Sequence, residues 1–298
     1  METLGVPPRM TQRKRRQESL AYRLILPYVG VLVLLMFYPI TYNIVRSLVV
    51  DGRLSLANYT SVLSEGSFAR LSLNTAIWVV GSVTFQFALG LGIALLLNQR
   101  LRLRGLWRVL ILVIPWATPD IVAGVAWQWM LNDMYGVFND VLVKLGILNA
   151  YLPWLGEPAL ARWSVIIANT WKGFALSAMF YLAALQTVPT ELHEAAFVDG
   201  ANIIQRFLYV TWPHIRPFVA TTVMLTVIWT FNYFPLIYTM TGGGPAGATD
   251  TYVTHAYRLA FRFTDFGRSS ALSTLTFAFV MLFAAIYSSI LLLREEAA

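Results

Sequence analysis

Residues 188–216, VPTELHEAAFVDGANIIQRFLYVTWPHIR, decide how the rest of the chain is read. They are too polar to cross a membrane, yet they are rich in helix formers and lie between two apolar runs, 163–186 and 217–240. Pro189 and Thr190 can open a helix, and Glu191 and Glu194 then fall near its electropositive end. Asp199-Gly200 closes it, because glycine tolerates the left-handed conformation at a helix terminus. Asn202 is a good N-cap for a second short helix, expected to run through Phe207 and stop at Pro213. A helix, a sharp turn and a helix projecting from an apolar chain make a docking element. Ala195 and Ala196 leave a shallow surface for close approach, while Phe207 and Leu208 supply apolar anchors.

The surroundings of that stretch are those of a membrane protein. Of 298 residues, 57% are hydrophobic and 12% charged, with a mean hydropathy of +0.61, whereas a soluble domain carries about 25% charged residues. Six apolar runs, 22–48, 74–97, 106–131, 163–186, 217–240 and 269–293, each supply the roughly 20 residues that a spanning helix needs. A soluble enzyme, a disordered regulator and a small secreted scaffold are thereby excluded. The absence of cysteine removes disulfides, thiolate nucleophiles and iron–sulfur ligation. The first run follows Arg13, Lys14, Arg15 and Arg16 in the manner of a signal peptide. At 22–48, however, it exceeds the roughly 7 to 15 residues of a signal core and lacks a small-residue cleavage site, so it is expected to remain as a span.

The expected fold is all-α and polytopic: a basic cytoplasmic tail over 1–19, then one transmembrane domain over 20–298 with six helices. Lys and Arg set its orientation, because cytoplasmic segments retain positive charge. Thirteen fall on the side holding the termini and residues 188–216, eight fall on the other, and Lys172 inside a span completes the 22. The net charge of +7 is therefore a matter of topology, and nucleic acid is not an expected partner. The longest connection on the other side, 132–162, carries Val137, Phe138, Val141, Leu142 and Leu145 at helical spacing, which predicts a short amphipathic helix.

Glu194-Ala195-Ala196, then Gly200, then Val210-Thr211-Trp212-Pro213 resembles the EAA loop of bacterial ABC-importer permeases, with Val210 and Trp212 at the Ile and Leu positions of that pattern. Asn169-Thr170-Trp171-Lys172-Gly173, Thr241-Gly242-Gly243-Gly244-Pro245 and Gly136-Val137-Phe138-Asn139 are similar to sugar-type permeases related to the maltose and glycerol-3-phosphate importers, in particular their first permease subunit. The resemblance implies a multi-pass protein of the bacterial or archaeal plasma membrane that moves a sugar or sugar-like solute inward. It implies a second homologous permease, two ATPase subunits that bind ATP and Mg, and an extracytoplasmic solute-binding protein. No cofactor is expected in this chain and no covalent chemistry. Docking of the ATPases is expected at Glu194, Ala195, Ala196, Gly200, Phe207 and Pro213.

Within the spans, Lys172 lies near mid-depth, where an unpaired cation costs several kcal/mol. It either meets the solute or pairs with an acidic group on a neighbouring helix. The resemblance puts Asn169, Trp171 and Gly173 in the solute cavity with it, together with Thr226, Trp229, Thr230 and Tyr233. The last four recur at i, i+3, i+4 and i+7, a polar-aromatic stripe on one helix face. Pro115, Pro119 and Asp120 interrupt the third span and Pro235 the fifth; these are read as kinks, and Asp120 stays outside the candidate set. Gly242 to Thr249 imitates a phosphate-binding loop but has Ala248 where the lysine belongs. His193, His214 and His255 are isolated in sequence, and no metal site is expected. A secondary transporter is the rival reading; it would need neither a docking loop nor ATPase partners.

Overall fold

The computed structural model describes residues 12–99 and 102–296. Of the expected basic tail, 1–11 lie outside the described residues, as does Arg100, and the first helix already begins at Gln12. That helix continues from Gln12–Leu32 through a π-turn at Val33–Phe37 into Tyr38–Ser47. A two-residue antiparallel hairpin, Val49–Val50 with Arg53–Leu54, and the short helix Ala57–Ser64 lead to the second span, Phe68–Asn98. The fourth span is Pro158–Leu185, with Pro158 in its first turn where no N–H is needed, and the sixth helix is Phe266–Glu296. Among the described residues five helices are long and apolar enough to cross a membrane, or six if one sharply bent pair is counted as a single span.

That bent pair is the third span. Gly105–Ala117 and Asp120–Met130 meet at 100°, a full break where the prolines had predicted a kink. Pro119 has no N–H to continue the ladder and holds Thr118 in the extended region, so the helix must stop and restart. The fifth span departs from expectation at both ends. The helix that Asn202 opens does not stop at Pro213. A π-turn over Phe207–Thr211 absorbs the interruption, Pro213 sits in the first turn of Trp212–Phe231, and the helix runs on. It then ends at Phe231, and a separate helix, Pro235–Thr241, follows the break.

The second and fourth spans form the most extensively packed pair of the fold. Their approach is close because small residues face one another: Gly90 lies against Ser177 and the Phe174 carbonyl, and Gly81 against Ile166. Apolar clusters follow this pair from the 188–216 end, around Leu97, Tyr181 and Ile215, to mid-depth, around Trp78, Ile166 and Ile237. A third cluster at the far end joins Leu71 to Tyr252, Leu259 and Leu272. The expected amphipathic helix is present as Val137–Lys144. Asn139 anchors it: fully buried, it donates to the carbonyls of Asn132 and Leu152 and accepts from Leu152 N–H and Trp154 Nε1. A second helix at this end, Tyr252–Phe261, was not anticipated from the sequence.

Candidate functional site

Two structures carry the candidate residues. The first is a cavity of about 450 Å³ where the two broken spans meet the second and fourth, a size within the roughly 300–1,000 Å³ of small-molecule sites. Lys172 is the fifteenth residue of the 28 in Pro158–Leu185, so it stands at the middle of that helix. Its ammonium pairs with Asp120 Oδ1 at 3.2 Å and donates to the carbonyls of Trp116 at 3.2 Å and Thr118 at 2.5 Å. The break in the third span explains this arrangement. Gly105–Ala117 ends with unpaired carbonyls, the negative end of its dipole, and Asp120 opens the next helix at its positive end. A cation and an anion therefore each sit where the backbone favours them. The expectation that excluded Asp120 is corrected: it lines the cavity. Sequence could have flagged it only through the Pro119-Asp120 pair, which is a helix start as well as a kink.

Seven of the eight residues expected along the pathway line this cavity: Asn169, Lys172, Gly173, Thr226, Trp229, Thr230 and Tyr233. Trp171 does not. Its indole, partly buried, packs edge-on to Trp127 with ring centroids 6.0 Å apart, against the apolar core, because adjacent residues on a helix point about 100° apart. Tyr233 reaches the cavity by a different route from the one its spacing implied. The helix stops at Phe231, and from the break Tyr233 donates its hydroxyl to Asp120 Oδ1 at 2.7 Å. Gln86 of the second span, missed in the sequence, donates to the Asn169 carbonyl at 3.1 Å. Its amide lies so close over Gly173 that a Cβ there would require the Gln86 side chain to move. Asn169 is 4% exposed and its Nδ2 has no partner. Trp116 and Trp229 line the cavity and are half exposed.

The second structure is the helix–turn–helix of residues 190–206. Thr190–Val198 contains no buried residue. Gly200, at φ +81°, makes the turn, and Asn202 and Gln205 close a reciprocal capping box at 2.9 Å each way. Glu194 and Ala195 are exposed, Ala196 is half-buried, and Pro213 is exposed on the continuous helix. Phe207 is half-buried, turned towards Trp212. Leu208 is exposed, and the most exposed apolar groups are Phe197, Val198, Ile203, Ile204 and Tyr209, at 66–83% exposure. Arg206 lies over the Phe197 ring at 5.5 Å, tying the two short helices together.

The family model described as "Binding-protein-dependent transport system inner membrane component" matches residues 86–294. The chain belongs to that family. The permease is similar to the trehalose/maltose transport system permease protein MalF of Thermococcus litoralis, 36% identical over 290 residues, or 95% of this chain and 97% of that one. It is also similar to the sulfoquinovosyl glycerol transport system permease protein SmoG of Agrobacterium fabrum, 34% identical over 93% of this chain and 91% of that one. Among solved structures, a chain of a bacterial ABC transporter involved in the import of the acidic polysaccharide alginate superposes with a TM-score of 0.80. It is 20% identical and covers 93% of this chain and 96% of its own, a likeness that shows the fold alone. The protein is a multi-pass permease component of an ABC importer of the inner membrane, and nothing favours a secondary transporter.

Proposed function

We propose that this permease carries a sugar or sugar-like solute through the 450 Å³ cavity, driven by ATPase subunits that dock on residues 190–206. The observation that carries the reading is the exposed helical hairpin. Apolar side chains at 66–83% exposure on two capped helices form an interface that this chain does not cover. Glu194, Ala195, Ala196, Gly200 and Pro213 lie on or beside that surface, and Phe207 braces it from within. ATP and Mg belong to the partner subunits, whose closure moves the hairpin. Because the fifth span is one helix from Ile203 to Phe231, displacement of the hairpin is transmitted rigidly to Thr226, Trp229 and Thr230. A second homologous permease completes the translocation path, and an extracytoplasmic binding protein delivers the solute, in keeping with the family's description. Sugar as cargo is supported by relatives named for trehalose/maltose and sulfoquinovosyl glycerol transport. The cavity lining combines the indoles of Trp116 and Trp229, a residue type that suits sugar C–H faces, with hydroxyl and amide groups that suit sugar hydroxyls.

The Lys/Arg asymmetry supports placing the hairpin and both termini in the cytoplasm. The chain has no cysteine, so single cysteines report topology cleanly. Gly243 is packed against Asp250, so Ala246, which is exposed, is the better reporter of the opposite face. With Ala246→Cys and Val198→Cys, an impermeant maleimide should label only the former in intact cells. After permeabilisation, Val198→Cys should react in the permease alone and be protected in the assembled importer. Labelling of Val198→Cys in intact cells, or absence of protection, would overturn the reading.

A further inference from the structure

Resting on the pathway reading above, we propose that the cavity accepts a neutral polyhydroxylated solute, and that the Asp120–Lys172 pair is the element that excludes anions. An ammonium has three N–H donors. Those of Lys172 face three acceptors of this chain: Asp120 Oδ1, the Trp116 carbonyl and the Thr118 carbonyl. Its side chain is 14% exposed, so the one cation lining the cavity among the described residues is both occupied and shielded. Asp120 is the one anion in the lining, which therefore carries no net formal charge.

A site built for a carboxylate or phosphate presents cationic donors that are open towards the ligand, commonly an arginine fork. Here the groups of the lining are of another kind. Asn169 Nδ2, though buried, has no partner in the chain, the Tyr233 hydroxyl donates to Asp120 and keeps only its acceptor capacity, and the indoles of Trp116 and Trp229 are half exposed. These suit hydroxyls and apolar sugar faces. An anion could reach Lys172 only by displacing Asp120, leaving two negative charges to share one ammonium. Discrimination against anions thus follows from the break in the third span, which brings Asp120 within reach of Lys172.

The test uses the assembled importer in detergent without its binding protein, so that delivery does not set selectivity. Saturation-transfer NMR compares trehalose with trehalose 6-phosphate. The wild type should bind trehalose and show little transfer to the phosphate. Asp120→Asn removes the counterion and should strengthen phosphate binding about tenfold. The paired variant Asp120→Asn with Lys172→Gln keeps a donor for the two carbonyls and removes both charges. It should bind trehalose within about threefold of wild type, a small change for a charge-neutral replacement. Trp229-dependent binding of the phosphate in preference to trehalose by the wild type would overturn the inference. So would loss of trehalose binding in an assembled paired variant. If Trp229→Ala alters the signal of neither sugar, the pathway reading itself fails and this inference falls with it.

Discussion

The two ends of the permease treat their polar groups in opposite ways. At one end the hairpin of residues 190–206 leaves charged and apolar side chains open, and none of Thr190–Val198 is buried. At the other, Asp250 is 3% exposed and fully engaged. Its carboxylate accepts from Thr254 Oγ1 at 2.7 Å, His255 Nδ1 at 2.9 Å and the Arg258 guanidinium. Asn74 donates to the Asp250 and Gly247 carbonyls and accepts from Arg162, which also donates to the Ala248 carbonyl. The composition of the two segments does not predict this contrast; the pairing does. Groups satisfied within the chain hold the fold, and groups left open at capped, rigid helices are available to another protein.

The largest test of that contrast is Asp250→Ala. It strands Arg258 and His255, whose Nε and Nε2 atoms already lack partners. Removing one member of a buried ion pair costs about 3–5 kcal/mol. Thermal unfolding of the purified permease should fall accordingly, and a loss under about 1 kcal/mol would show that this end is not held by its own network.

The hairpin should answer in the opposite sense. Glu194→Lys on its exposed face should leave the permease's own stability within about 0.5 kcal/mol. Gly200→Trp adds strain of roughly 1–2 kcal/mol because a side chain must adopt φ +81°. Both should abolish co-purification of the ATPase subunits and their stimulated ATP hydrolysis. Intact assembly with normal transport in both variants would remove the hairpin's docking role.

Between the two ends, the cavity shows how far the sequence could be read. The helical class, the spans and the helix–turn–helix were legible because hydrophobic length, an N-cap and a glycine act locally. Gly173 was pointed to only by the resemblance, whereas Lys172 was legible as a cation in an apolar run. Asp120 was not, since its partner lies 52 positions along the chain and only the folded break brings them together. Trp171 was placed in the cavity by the resemblance, although helical geometry turns it away from Lys172 to pack against the apolar core. Tyr233 fitted a helical stripe but reaches the cavity from a break that Pro235 creates. Local rules place elements, whereas side chains on broken helices are placed by tertiary contacts.

Trp229→Ala is the next test in size. It removes a half-exposed ring from the cavity wall without disturbing either end. Loss of one stacking ring costs about 1–3 kcal/mol, or roughly 5- to 150-fold in affinity. Uptake should fall more at low solute concentration than at saturation, with ATPase assembly intact. Unchanged kinetics would leave the solute no contact with this wall.

The smallest effect asks whether burial or position sets the worth of a charge at the Asp250 end. Asp265 lies in the turn before Phe266–Glu296, accepting from Arg268 N–H at 3.0 Å and Arg268 Nε at 2.6 Å. Partial burial alone would raise its carboxyl pKa, but the hydrogen bonds and charge of Arg268 outweigh it and hold the group below the ordinary carboxylate range. A pKa lowered by folding stabilises the protein fully above the unfolded value, about 3.9, and that contribution disappears as the pH falls through the folded value. Because the pair is about one-third exposed, its contribution should be under about 1 kcal/mol. Asp265→Asn should therefore lower the unfolding temperature slightly at pH 7, far less than Asp250→Ala, and the difference from wild type should vanish on acidification. A difference that persists undiminished in acid would mean that hydrogen bonding, not charge, holds this turn. An effect at pH 7 as large as that of Asp250→Ala would mean that position at this end matters more than burial.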